Sequence, residues 1–329
     1  MARPWRPVLP SLRSDAIMME LMGWKKSDWD FVGKRYIAFT VSGLLCALGL
    51  AAAAAIWIGK APLGIDFAGG LSMNVTITQP VSLDAIRSSF AAKGIKDAQI
   101  QQLDALAGQH LLVRVREMGA EEDVKAILTG LAAGATLTVE GVSSVGPAVG
   151  SRLRVEATYA VFWAIILIML YIWVRFQYRF GVAAALATFH DVLAVLGVMW
   201  LLQRDFTLLT VTALLTLAGY SLTDTVVVFD RIRENMRFMS RDPLPLVINK
   251  SINEILSRTA LTSLTTMLPL VALLAYGSSV THDFALALLL GVIVGTYSSW
   301  FVASTILVEW DAWRRRRAAE AAANRAAGR

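Results

Sequence analysis

The sequence predicts a polytopic α-helical membrane protein with six transmembrane helices and one ferredoxin-like α+β domain outside the bilayer. Three observations carry this expectation. Of 329 residues, 56% are hydrophobic and 17% charged, against about 45–50% and 25% in soluble domains. The apolar excess is gathered into six blocks, each long enough to cross about 30 Å of hydrocarbon. Between the first two blocks lies one hydrophilic segment of domain size.

The spans are expected at Tyr36–Ile58, Ala157–Val174, Gly181–Leu202, Phe206–Phe229, Thr259–Tyr276 and Phe284–Val308. The first is too long for the core of a cleavable signal peptide and follows some 35 polar and mixed residues, so none is expected. Cys46, the only cysteine, sits inside it with no partner for a disulfide or a metal site.

The net charge of +6 is unevenly placed. Arg3, Arg6, Arg13, Lys25, Lys26, Lys34 and Arg35 precede span one, and Arg175 and Arg179 separate spans two and three. Arg231, Arg233, Arg237, Arg241 and Lys250 separate spans four and five, and Arg314–Arg317 follow span six. By the positive-inside rule this places both termini in the cytoplasm. Juxtamembrane charges of this kind suit anionic lipid headgroups and argue against nucleic-acid binding.

The chain divides into a cytoplasmic segment at 1–35, span one at 36–58, an outer domain at 59–156, spans two to six at 157–308, and a basic cytoplasmic tail at 309–329. Residues 230–258 form a cytoplasmic loop, expected as short interfacial helices with a largely solvated charged face. The outer domain reads strand, helix, strand, strand, helix, strand. "LSMNVTITQ" alternates as a strand does. "SLDAIRSSFAAKG" opens on an N-cap at Ser82 and closes on Gly94. "DAQIQQLD" and "HLLVRVRE" flank the turn "ALAGQ", "AEEDVKAILTGLAAG" is amphipathic, and "ATLTVEGVSSV" ends the set. A βαββαβ order points to the ferredoxin-like arrangement. No phosphate loop, nucleophile elbow or Cys/His cluster is present, and His110 reads as a surface or satisfied residue and not a ligand. The domain therefore reads as a binding or moving part, and the protein as a non-enzyme with no cofactor or metal.

Ionisable residues inside spans are functional hypotheses by default. Asp224 lies in span four, about 9 Å of helix rise before Asp230. Arg258 opens span five and is a candidate partner at similar depth. Thr212, Thr216 and Thr223 lead along one face of span four toward Asp224, and Arg258, Thr262 and Thr265 share a face of span five. Two such stripes would bond to each other or to a thread of water. The residues alone leave two readings equally open: a structural pair that fixes packing, or a carboxylate that titrates and moves a helix. His190 and Asp191 lie mid-span three, where a proton relay and a structural hydrogen bond stand side by side. Gly291 and Gly295 form a close-packing step in span six, and Pro269 is expected to kink span five.

Several of these motifs occur together and in order. "GIDFAGG" follows span one, "SSVGPAVGSRL" precedes span two, and "YIWVRFQYRFG" joins spans two and three. "HDV" lies in span three, "GYSLTDTVVVFDRIREN" closes span four, and "SRTALTSLTT" opens span five. Over roughly residues 20–310 the chain resembles the SecF family of protein-export subunits. The resemblance implies a six-span half of an RND-type bundle in the bacterial inner membrane, its large domain periplasmic. It implies a SecD-like subunit as partner in a heterodimer and work with the SecYEG channel. YajC and the YidC insertase are further implied partners, and exported unfolded polypeptide is the implied cargo. It implies proton coupling by Asp224 and Arg258, supported by Thr223, Thr225, Thr262, Thr265, His190 and Asp191. It makes Asp66, Gly69 and Gly70 the base of the periplasmic domain, flexible or tightly turned. Thr223 departs from the family, which often has asparagine there. The alternatives are half of a small-molecule or lipid exporter of the RND type, and a scaffold without coupling.

Overall fold

A computed structural model describes residues 28–327, apart from 79–80, 96–97, 104–108, 116–120, 132–136 and 176. The basic residues from Arg3 to Lys26 and most of the "ALAGQ" turn lie outside the described residues.

Six helices are long and apolar enough to cross a membrane. They are α1 (Arg35–Trp57), α5 (Pro147–Arg175), α6 (Tyr178–Leu201), α7 (Leu208–Phe238), α8 (Leu244–Tyr276) and α9 (Ser279–Ser298). A five-residue π-helical turn, Ser299–Ala303, carries α9 into α10 (Ser304–Ala327). Helix α6 is the centre of the bundle: 67% of its most apolar window is buried, against 6% for α5 and 11% for α8. With α1 at 22%, three of the six spans thus offer most of their surface to whatever surrounds the chain.

The helices are longer than hydropathy alone marks. Helix α5 starts at Pro147, ten residues before the expected span, because proline is pre-set for a first helical turn. The segment expected as interfacial helices is instead the continuation of α7 to Phe238 and the start of α8 at Leu244. Charge pairs hold this extension: Arg231 Nε meets Glu254 Oε2 at 2.7 Å, and Asn235 Nδ2 donates to the same oxygen at 2.7 Å. Helix α8 continues unbroken through Pro269.

Close helix approach follows the small residues, since apolar burial gives no drive between helices in lipid. A Cβ on Gly291 would lie 2.6 Å from Leu217, and one on Gly295 would lie 3.1 Å from Ser221, so the expected glycine step seats α9 on α7. The sequence reading missed a second step. A Cβ on Gly197 of α6 would lie 2.7 Å from the backbone nitrogen of Gly49 on α1.

Between α1 and α5 sits the sheet domain. A four-residue helix α2 (Ile65–Ala68) leads to β1 (Gly70–Ile77), α3 (Leu83–Ala92), β2 (Gln99–Leu103), β3 (Gln109–Val115), α4 (Glu121–Leu131) and β4 (Leu137–Val145). The expected βαββαβ order is observed. The antiparallel sheet has the order β2-β3-β1-β4, with Met73 opposite Val113 and Val142. Alternate residues of β1 and β3 point inward, and Met73, Val75, Ile77, Leu111 and Val113 meet Ile86, Phe90 and Leu128 of the two helices. Each fully buried side chain of this kind is worth about 1.5–3 kcal/mol where water is the reference. Ser82 caps α3 by accepting from Ala85 N at 3.2 Å, and Gly94 ends it at φ +87°. His110 is bonded to Thr76 at 3.1 Å, as a satisfied residue should be.

Candidate functional site

The site lies in the bundle and is built on α6, α7, α8 and α9. Asp224 is buried, 6% exposed, on α7. Its Oδ2 has no hydrogen-bond partner among the described residues. Arg258 is exposed on α8 and makes no ion pair with Asp224. The two residues sequence reasoning placed together are therefore on different sides of their helices.

The hydroxyl stripes are real, but they face outward. Thr212, Thr216 and Thr223 are exposed on α7, and Thr262 and Thr265 are exposed on α8 beside Arg258. They do not bond across helices. Thr216 donates to Thr212 O at 2.8 Å, Thr223 to Gly219 O at 3.1 Å, and Thr262 to Arg258 O at 2.9 Å. A threonine hydroxyl that returns to its own i−4 carbonyl satisfies itself within the helix. Thr225, in contrast, is fully buried on Asp224's side. A row of hydroxyls and a guanidinium on outward faces of apolar spans is costly against lipid and suited to a protein partner or a water-lined cleft.

A second polar centre lies one turn away. Asp191 of α6 is fully buried. His190 Nδ1 approaches its Oδ1 at 2.8 Å, although residues i and i+1 ordinarily diverge on a helix. Ser298 of α9 donates to Oδ2 at 2.7 Å, and Ser221 of α7 donates to the same oxygen. Ser221 was legible in principle, as the residue one turn before Asp224. Ser298 had no sequence signal, because only the glycine step brings α9 close enough. Ser263 of α8 and Thr296 of α9 add a buried hydroxyl pair at 2.6 Å.

The sheet domain is locked to the end of the bundle where α7 begins. Asp66 accepts from Leu208 N at 2.9 Å with Oδ2, at the first turn of α7. Thr207 is the N-cap there, in a reciprocal box with Thr210. Gly64 N donates to Phe206 O at 2.9 Å, and Phe206 N to Pro62 O at 2.9 Å. Arg114 of β3 forms an ion pair with Asp205, and both are largely buried. Gly69 and Gly70 have φ of +76° and +119°, where a side chain is strained. A Cβ on Gly69 would also lie 2.8 Å from Pro147 Cα. The backbone turns tightly at these two glycines where it enters β1. A cleft of about 400 Å³ opens between the two parts, lined by Asp66, Asn74, Arg114, Thr207 and Asp283 among others.

Residues 124–313 match the family model for the protein export membrane protein SecD/SecF, C-terminal. The chain is 46% identical to a protein translocase subunit SecF of Thermodesulfovibrio yellowstonii, over 88% of this chain and 97% of that one. It is 42% identical to a protein translocase subunit SecF of Desulfurispirillum indicum, over 85% and 91%. Among solved structures it superposes on SecDF of Thermus thermophilus, described as a translocon-associated membrane protein, with a TM-score of 0.77 and 37% identity. That match covers 90% of this chain but only 41% of the longer SecDF chain.

Proposed function

The chain belongs to the SecF family of protein export membrane proteins, and from that premise we propose that it is the proton-coupling SecF half of a Sec translocase. It pairs with a SecD subunit in the bacterial inner membrane, with both termini cytoplasmic and the sheet domain in the periplasm. The pair spends the proton gradient on late movement of unfolded polypeptide through the SecYEG channel, with YajC and YidC as further partners. It catalyses no covalent reaction.

The observation that carries this reading is Asp224, a buried carboxylate with an unpartnered oxygen. Intramembrane carboxylates are expensive and mark ion pathways. The exposed stripe from Thr212 to Thr223 and the Arg258 face of α8 form the wall that SecD would cover. Closure of the two halves brings Arg258 into reach of a proton pathway it does not touch in the isolated chain. A carboxylate that gains and loses a proton, beside a cation that moves in and out of range, turns proton passage into helix displacement. The displacement reaches the sheet domain through the junction at the start of α7.

The test is proton flux in vesicles holding the chain with its SecD partner and SecYEG, alongside stimulation of polypeptide export. Asp224→Asn should assemble normally and lose both activities. Full flux and full stimulation in that variant would sink the proposal.

A further inference from the structure

Asp191 has no task in the reading above, yet it is more completely enclosed than Asp205 or Asp224. Its oxygens are held from three helices by His190, Ser221 and Ser298. Ser221 precedes Asp224 by three residues, so the two share a face of α7 about 4.5 Å apart along the axis. Helices α6 and α7 are joined only by residues 202–207 and run antiparallel. The Asp191–Ser221 bond fixes their register, and Thr188, three residues before Asp191, falls level with Asp224. Thr225 lies one turn beyond Ser221 on the same face.

Buried, unpartnered polar atoms fall within about one helical turn of each carboxylate. Among the described residues, seven buried side-chain atoms lack a hydrogen-bond partner, and five belong here: Thr188 Oγ1, His190 Nε2, Tyr220 OH, Asp224 Oδ2 and Thr225 Oγ1. Buried polar groups are nearly always bonded to protein or to internal water, so a cluster of this size at membrane depth marks a polar track. The π-helical turn begins at the residue after Ser298, and such turns concentrate at functional sites. The titratable groups around Asp191 are His190, bonded to it on its own helix, Cys46 of α1, which lies within electrostatic reach, and Asp224, one turn along α7 from the Ser221 that bonds it. Helix α9 contributes a hydroxyl.

We propose that Asp191 is a second proton-holding carboxylate, exchanging protons with Asp224 along Thr188 and internal water. The transfer is simple in its balance. The O–H of the Asp224 carboxylic acid breaks, one proton passes along the hydroxyl and water chain, and the Asp191 carboxylate gains an O–H. A mere staple between helices needs only an acceptor, which asparagine supplies equally well to both serines. A proton-holding group needs the acid. The inference rests on the proton-coupling reading of Asp224.

The experiment uses the SecD-paired complex in vesicles, comparing wild type, Asp191→Asn and Asp224→Asn, each checked for assembly. Asp191→Asn should lower proton flux at least tenfold and remove one pH-dependent carboxyl band from infrared difference spectra, distinct from the band removed by Asp224→Asn. Wild-type flux in an assembled Asp191→Asn complex overturns the inference. If that variant does not assemble, Ser221→Ala/Ser298→Ala decides, because it keeps the carboxyl and removes its donors. A pH-dependent carboxyl band shifted in frequency supports the inference, and only the Asp224 band, unshifted, overturns it. Loss of flux in Asp224→Asn with full flux in Asp191→Asn defeats this inference alone. Full flux in Asp224→Asn defeats the coupling reading on which it stands.

Discussion

Replacing Arg114 by leucine should destabilise the junction between sheet domain and bundle, and replacing Asp205 as well should partly restore it. The side chains of the pair are 14% and 5% exposed. At that burial, removing the cation strands a carboxylate that water cannot reach, at a cost of about 3–5 kcal/mol. Arg204 does not substitute, since it is engaged with Asp283 at 3.6 Å. Removing both charges takes away the attraction together with the desolvation penalty, and apolar replacements of buried pairs are often neutral. Arg114→Leu should therefore cost more than Arg114→Leu/Asp205→Leu, which requires a coupling larger than the cost of Asp205→Leu alone. The measurement is a double-mutant cycle on the detergent-solubilised complex, read by local hydrogen exchange in β3 and the first turns of α7. Additive costs, with the double variant the least stable, would refute the buried-pair argument. A mechanical consequence follows from the same geometry. Asp224 lies sixteen residues into α7 from Leu208, about 24 Å along the axis, so a loosened junction should weaken export stimulation more than proton flux.

Gly197→Ala should destabilise the bundle by about 1–3 kcal/mol through overpacking, because its Cβ meets the backbone of Gly49 and Leu48 more closely than any side chain. Gly43→Ala on the same α1 meets nothing within 4 Å and should be neutral or slightly stabilising; equal melting shifts for the two would count against the close-packing step. Asp66→Ala removes an acceptor from the first turn of α7 and should cost about 0.5–2 kcal/mol, visible as faster amide exchange at Leu208. Unchanged exchange there would show that Thr207 alone secures the helix start.

The spans, the βαββαβ order and the glycine step of α9 were legible because they rest on local rules: apolar length, alternation, caps and small residues at i and i+4. Asp224 was legible as a costly residue in an apolar run. Its partner was not. Linear depth placed Arg258 beside it, but depth leaves rotation about the helix axis open. The same ambiguity hid Ser298, which reaches Asp191 only because Gly291 and Gly295 let α9 settle on α7. Asp205 carries no sequence signal of its own, and only the fold sets Arg114 against it.

By itself the sequence determined what must cross the membrane, what must stay in water and which polar residues are out of place. Those are free energies of transfer, and each residue carries its own. Only the tertiary structure decided which polar groups share an interior. It turned the threonine stripes outward, enclosed Asp191 among three helices, and tied the base of the sheet domain to the helix that carries Asp224. Those outcomes depend on helix rotation and close approach, which many residues set jointly and no single stretch encodes.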